Sequence, residues 1–268
     1  MTRNSLKTYI KNREIVIPNG DNSEFLLDDF NFEKLVIEEN AHADVLISGF
    51  DKDLNIDILL KENAYLNIKG VIESNTKNVK INADLHENSS FSASFLDFSN
   101  GKVIEKGDIK CLGNNSSAVV RIASLTSVND DKHIAFSINH IALNTNGLVD
   151  NYGVCKDTSK LEFAGVNHIA RGAKKTITRQ ASKIMLIDKS SDGIAKPTLK
   201  IDESDVSASH GAAIGQINED QLFYLQTRGI NETDARKLIV LGYFTPILKM
   251  FENEDNFETI SNLLENKL

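Results

Sequence analysis

From about residue 13 to about residue 210 the apolar positions recur with period two. Leu54, Ile56, Ile58 and Leu60 alternate with Asn55, Asp57 and Leu59; Val79, Ile81, Ala83 and Leu85 alternate with Lys80, Asn82, Asp84 and His86; Ile134, Phe136 and Ile138 follow the same rule. Successive side chains of an extended chain point to opposite faces, so this pattern predicts strands. The strands are short, recur about every 10–12 residues and are bounded by Asn, Asp, Gly and Ser. A sandwich, a barrel and a β-solenoid all fit that spacing. Three features favour a right-handed parallel β-helix: inward positions rich in Ile, Leu and Val, corner segments rich in Asn (Asn75, Asn78, Asn88), and few Asn-Gly or Asp-Gly hairpin dipeptides. No repeat of fixed length is readable.

From about Gln216 to Leu268 the period changes to 3.6. Asn218 is the expected N-cap of a helix carrying Leu222, Phe223 and Leu225, with Gln221 at the capping-box position and Gly229 as the stop. Asn231 is expected to cap a second helix carrying Ala235, Leu238 and Ile239, which Pro246 ends or kinks. A third helix would align Phe257, Ile260, Leu264 and Leu268 on one stripe. The expected organisation is a short tail over 1–12, a parallel β-helix over 13–215 and a helical domain over 216–268. A helical tail can cap a solenoid end or bind a partner, and the pattern leaves both open.

Composition narrows the function. The chain has 268 residues and a formal charge of −8. An acidic balance argues against nucleic acid and against anionic membranes, both of which select basic faces. The basic cluster of Arg171, Lys174, Lys175 and Arg179 reads as a solvated face. Met1 to Glu14 contains no apolar signal core, and no stretch approaches 18 apolar residues, so the expected location is the cytoplasm. The two cysteines, Cys111 and Cys155, form no zinc or redox spacing. Cys155 is a candidate thiol for sulfur handling; its bland reading is a small buried hydrophobe.

Common catalytic constellations are missing from the sequence. Gly172-Ala173-Lys174-Lys175-Thr176 lacks the adjacent Gly-Lys and the upstream spacing of a phosphate loop. There is no G-x-S-x-G elbow and no H-E-x-x-H pair, and the six histidines are scattered. Asp202, Glu203 and Asp205 suggest the acidic groove of a carbohydrate-active β-helix, but neighbours on a strand point to opposite faces and would not converge.

The later chain carries a resemblance. Tyr152-Gly153-Val154-Cys155-Lys156, Leu161-Glu162-Phe163-Ala164-Gly165, Gln180 to Ile187 and Pro197-Thr198-Leu199-Lys200-Ile201 are followed by Ser209-His210-Gly211-Ala212 and by Leu222-Phe223-Tyr224-Leu225-Gln226-Thr227-Arg228-Gly229-Ile230. Together with Ala235-Arg236 and Gly242-Tyr243-Phe244, these segments resemble the SufB/SufD family, with its S-H-G-A-x-x-G and L-F-Y-L-x-[ST]-R-G signatures. The Ser-His-Gly-Ala form is SufD-like rather than SufB-like. The first 150 residues match only in strand-like character.

The resemblance implies a non-catalytic scaffold subunit of a complex that assembles iron–sulfur clusters. It implies a SufB-like partner joined through the β-helices and a SufC-like ATPase docked on the C-terminal helices, with Tyr224, Arg228, Gly229, Tyr243 and Phe244 near the dock. It places His210 at the subunit interface, where a transient cluster or iron is handled without tight binding; a neutral imidazole can bind iron. Two departures stand out. Ala208 occupies a position where SufD-like chains often carry cysteine, and the long N-terminal helical domain of such chains is expected to be lacking. The alternatives are a homodimeric scaffold of the same family and a β-solenoid interaction module without cluster chemistry.

Overall fold

The protein is described by a computed structural model covering residues 10–11, 13–27, 32–50, 53–73, 76–251 and 257–268. Asn75 lies outside these residues, as does the side chain of Phe257. In chain order the strands are β1 (Ile10–Lys11), β2 (Glu14–Ile17), β3 (Asn22–Leu27), β4 (Lys34–Ile37), β5 (His42–Phe50), β6 (Leu54–Leu60), β7 (Tyr65–Ile72), β8 (Asn78–Leu85) and β9 (Ser90–Asp97). They continue as β10 (Lys102–Cys111), β11 (Ser117–Thr126), β12 (Asp131–His140), β13 (Asn146–Cys155), β14 (Lys160–Ile169), β15 (Thr176–Leu186), β16 (Asp192–Ile201) and β17 (Val206–Gln216). Helices α1 (Glu219–Thr227), α2 (Glu232–Leu248) and α3 (Phe257–Lys267) follow.

The strands alternate between two sheets. One runs β1-β2-β4-β6-β8-β10-β12-β14-β16 and the other β3-β5-β7-β9-β11-β13-β15-β17. Apart from the antiparallel β1–β2 pair, neighbours are parallel. This is a β-solenoid in which each turn contributes one strand to each sheet. The expected parallel β-helix is therefore present. Its core is the space between the sheets, filled by inward residues such as Ile56, Ile81, Phe91, Val120, Phe136 and Phe163.

One corner explains both the asparagines and the absence of a readable repeat. Asn40, Asn63, Asn88, Asn115 and Asn144 all adopt positive φ between 55° and 61°. Asparagine tolerates that region better than most residues. Their amides stack as a ladder: Asn63 donates to Asn40 at 3.0 Å, Asn88 to Asn63 at 3.0 Å, Asn115 to Asn88 at 2.9 Å and Asn144 to Asn115 at 2.7 Å. The steps of this ladder are 23, 25, 27 and 29 residues. Over these four turns each is two residues longer than the one before, so no fixed period exists to be found. Asn78, by contrast, simply begins β8. Replacing Asn88 by alanine removes two ladder bonds and puts in the left-handed region a residue that tolerates it less well than asparagine. We expect a loss of about 1–3 kcal/mol in urea unfolding, with Asn88→Gly costing less. Equal costs for the two variants would show that the backbone conformation carries none of the effect.

The helices do not cover a solenoid end. They pack on the outer flank of the second sheet, where Leu96, Ala123, Leu125, Tyr152 and Val154 meet Val240, Phe244, Ile247, Ile260 and Leu264. The cause is local: toward the C-terminal ends of β9, β11 and β13 the in–out alternation gives way to burial on both faces. Asn218 and Asn231 cap α1 and α2 as expected, accepting from the amides of Gln221 and Asp234. Gly229, with φ 88°, follows α1. Pro246 does not end α2, which continues to Leu248. At that position proline removes one hydrogen bond from an exposed turn near the helix end, a tolerable loss.

Two lysines fasten the helical tail to the opposite corner. Lys267 of α3 donates to the carbonyls of Phe98 (3.2 Å) and Ser99, to Asn100 Oδ1 at 2.6 Å and to Asp130 at 3.1 Å. Lys156 donates to the Leu268 carbonyl.

Candidate functional site

The last strands, β16 and β17, form an end that the described residues leave uncovered. Each has one hydrogen-bonded neighbour strand in its sheet, so each presents a free edge. Positions that would be core in any earlier turn are exposed to solvent here, among them Ile201 and Ile214 at 43% and 45%. A free edge beside uncovered apolar positions is a template for another chain.

His210 sits on the inward-facing row of β17. It pairs in register with Gln180, which pairs with Val149, then Val120, then Ala93. Val206, Ala208 and His210 share this face, as the extended spacing predicts, since their register partners Thr176, Thr178 and Gln180 are all interior. The imidazole is exposed because no further turn lies on it. Among the described residues no group of three or more His, Cys, Asp or Glu side chains could hold a metal ion. His210 alone supplies one neutral nitrogen ligand; iron or a cluster held there would need further ligands from elsewhere.

Cys155 is remote from this end in character. It is fully buried in the interior, and burial pushes its thiol up to about 11. Cys111 is likewise buried, with its thiol pushed up to about 12. A protonated interior thiol is a poor nucleophile and a poor soft ligand. Both thiols lie in the packed interior of the solenoid.

The residues proposed near the dock separate into two groups. Tyr224 and Arg228 are exposed on and just after α1, with the guanidinium 5.2 Å from the ring centroid. Tyr224 borders a shallow groove that is also lined by Asn218, Gln221, Leu225 and Ile239. Gly229 belongs to the exposed turn that follows. Phe244, by contrast, is fully buried against the second sheet, and Tyr243 packs edge-on against Tyr152 with centroids 5.8 Å apart. Burial raises the Tyr243 phenol. Phe244 is thus corrected from dock to core: the outward apolar positions of β11 and β13 require a helix face, and Phe244 is on it. The sequence reading overlooked Phe223 and Leu238 as surface features, exposed at 67% and 48%. Their signal was position: each falls opposite the buried stripe of its helix.

Asp202, Glu203 and Asp205 lie in the turn between β16 and β17 rather than on a strand, and each is engaged locally rather than in a shared groove. Asp202 pairs with His168 at 2.8 Å, while Glu203 accepts from the amides of Gly172, Ser204 and Asp205. No described helix is long and apolar enough to cross a membrane.

The chain was compared with known proteins. The family model for the SUF system FeS cluster assembly SufBD core domain matches residues 29–243. The iron-sulfur cluster assembly protein SufD of Bacillus subtilis is 27% identical over 168 residues, covering 63% of this chain and 38% of that protein. SufD of Escherichia coli is 33% identical over 101 residues, covering 38% of this chain and 24% of that protein. SufB of Bacillus subtilis is 30% identical over 110 residues, covering 41% of this chain and 24% of that protein. The chain thus spans well under half the length of these relatives. The match extends over nearly the whole solenoid and into α2, well beyond the segments whose motifs carried the resemblance, and on that span the chain belongs to the SufB/SufD family, within which it is most like SufD.

Proposed function

We propose that this chain is a SufD-like, non-catalytic scaffold subunit for iron–sulfur cluster assembly in the cytoplasm. It would pair through its open solenoid end with a SufB-like subunit and dock a SufC-like ATPase on the exposed face of α1 and α2. The observation that carries the reading is the open end itself: two free strand edges, uncovered core positions and one inward-row histidine that belongs to no metal-binding group among the described residues. Such an end is incomplete as a fold terminus and incomplete as a metal site. A second chain would remedy both, pairing with the edges and supplying the remaining ligands to a cluster that passes through as cargo. Family membership supplies the chemistry, because the relatives are named for iron–sulfur cluster assembly.

Anaerobic purification from the native cell extract tests the partner assignment. A P-loop ATPase and a SufB-like chain in fixed ratio support it; elution only with itself favours the homodimeric scaffold, and elution alone favours a lone interaction module. His210→Ala should leave the complex intact while lowering the yield of reconstituted cluster at least about tenfold, since even an outer-shell partner of a metal ligand is worth that much. Unchanged yield and iron content would remove His210 from the site. For the dock, Phe223→Asp combined with Leu238→Asp should weaken ATPase capture at least about tenfold, as for apolar anchors of an interface. The melting temperature should stay constant because both side chains face solvent. Retained capture would place the dock elsewhere.

A further inference from the structure

The interior changes character just beneath the open end. In the lower turns two inward rows of the second sheet are apolar. The row through Phe95 and Ile122 then becomes Asn151 and Ser182, and the row through Ala93, Val120 and Val149 becomes Gln180. Asn167 enters from the opposite sheet, and its amide donates to the Thr178 hydroxyl at 2.9 Å. Gln180 donates across the interior to the Gly165 carbonyl at 3.4 Å, and Asn151 donates to the Ser182 hydroxyl at 3.1 Å. One turn deeper, His140 Nδ1 shares a hydrogen bond with the Thr145 hydroxyl at 2.8 Å, and that hydroxyl lies 2.9 Å from the hydroxyl of Thr176.

These side chains are 0–2% exposed, yet four of their polar atoms have no hydrogen-bonding partner among the described residues: Asn151 Oδ1, Asn167 Oδ1, Gln180 Oε1 and His140 Nε2. Buried polar atoms are almost always paired, with protein or with ordered water. Turning an amide over does not resolve the matter. It exchanges an orphaned acceptor for an orphaned donor at Asn151 and Asn167, and at Gln180 it would set one oxygen against the Gly165 carbonyl. The unmet demand in the arrangement is for a donor to three amide oxygens, and the imidazole nitrogen can be met by either role.

We propose that the last complete turns of the solenoid enclose a set of long-lived internal water molecules, a hydrated layer directly under the row that ends in His210. The ligand is neutral because the layer offers no net charge to balance an ion. Its one titratable member, His140, is held neutral by burial, with its value lowered to about 4. Water is small enough for a solenoid interior and both donates and accepts, so one molecule can serve several of these atoms. The consequence for the open end is that His210 stands over a wet floor, through Gln180, rather than over an apolar one. This inference concerns the chain alone and does not depend on the partner assignment above.

Oxygen-17 magnetic relaxation dispersion on the purified chain counts internal waters directly. The unmodified protein should show a clear dispersion, and Asn167→Leu combined with Gln180→Leu should lower its amplitude by about half. An amplitude that does not change in a folded double variant would overturn the proposal. A crystal structure of the unmodified protein at near-atomic resolution needs no variant. Ordered water within hydrogen-bonding distance of the three amide oxygens supports the layer, and a dry, closed interior there overturns it.

Discussion

Lys132→Met is expected to destabilise the fold by about 3–5 kcal/mol, the range for stripping one partner from a buried ion pair. Lys132 and Asp97 are both 0% exposed and lie 2.7 Å apart. Lys132 also donates to the Leu125 carbonyl at 3.2 Å. Asp97 in turn accepts from the Ser99 amide at 2.9 Å, from the Ser99 hydroxyl and from the Ser124 hydroxyl at 2.5 Å. Burial alone would raise the Asp97 carboxyl. The Lys132 ammonium, with its hydrogen bond and those of the serines, outweighs that and holds it below the usual range. Methionine keeps the aliphatic length of lysine and removes the charge, leaving an anion in a solenoid interior. Urea unfolding at neutral pH measures the loss. A cost below about 1 kcal/mol would mean that the serine bonds alone suffice for the anion. Adding Asp97→Asn should recover part of the loss, because the uncompensated charge then disappears. The sign with pH follows from the depressed carboxyl. Its contribution is present above the unfolded value near 4 and is lost as the pH falls through the folded one, so the Lys132→Met deficit should shrink in acid.

The sequence made the strands and caps legible because both are local. Period two over Leu54–Leu60 and Asn78–Leu85 needs only neighbours, and so do Asn218 and Asn231 as caps. The repeat was hidden because the turns change length along the chain, and the asparagine ladder reveals the two-residue step of its four turns. The seat of the helices was harder to read, since it depends on which face of which sheet they meet. Its trace was present nonetheless: Ser124-Leu125-Thr126 and Gly153-Val154-Cys155 are strand ends buried on both faces. Spacing alone puts Val206, Ala208 and His210 on one face; that the face is inward comes from the register with Thr176, Thr178 and Gln180. The exposure of His210 could not be read from spacing either, because that requires knowing that β17 is the last strand of its sheet. Phe244 was misread for the same reason, as one stretch of motif divides between surface and core. The buried charges were visible and passed over. In Val103-x-Glu105-x-Gly107-x-Ile109 and in Lys132-x-Ile134-x-Phe136 a charged residue occupies an inward slot, which in a strand pattern marks a paired or neutralised group.

Glu105 is the clearest such group, and Glu105→Gln is expected to stabilise the protein at neutral pH. The carboxyl lies inside the solenoid between Val79 and Ile134 of the adjoining strands, and both of its oxygens lack partners among the described residues. Burial, reinforced by the Asp97 charge and only partly offset by Lys132, raises its value well above the ordinary one, so the folded protein keeps the proton that the unfolded chain gives up. The direction is the reverse of that for Asp97. The favourable contribution is complete below the unfolded value near 4.5 and is lost as the pH rises toward the folded one. Over that window the native protein should lose up to about 1.4 kcal/mol per pH unit from this one proton. Glutamine has nearly the same shape and no proton to lose, so its stability profile should lack that slope. The two proteins should unfold at similar urea concentrations near pH 4 and diverge steadily above it, with the variant the more stable. Parallel profiles from pH 4 to 8 would show that Glu105 ionises as readily in the folded interior as outside it. That would require water to reach the carboxylate, and the neighbouring Asp97–Lys132 pair would then be solvated too. In that event Lys132→Met should cost far less than the loss set out above, so the two variants together decide whether this corner of the solenoid is dry.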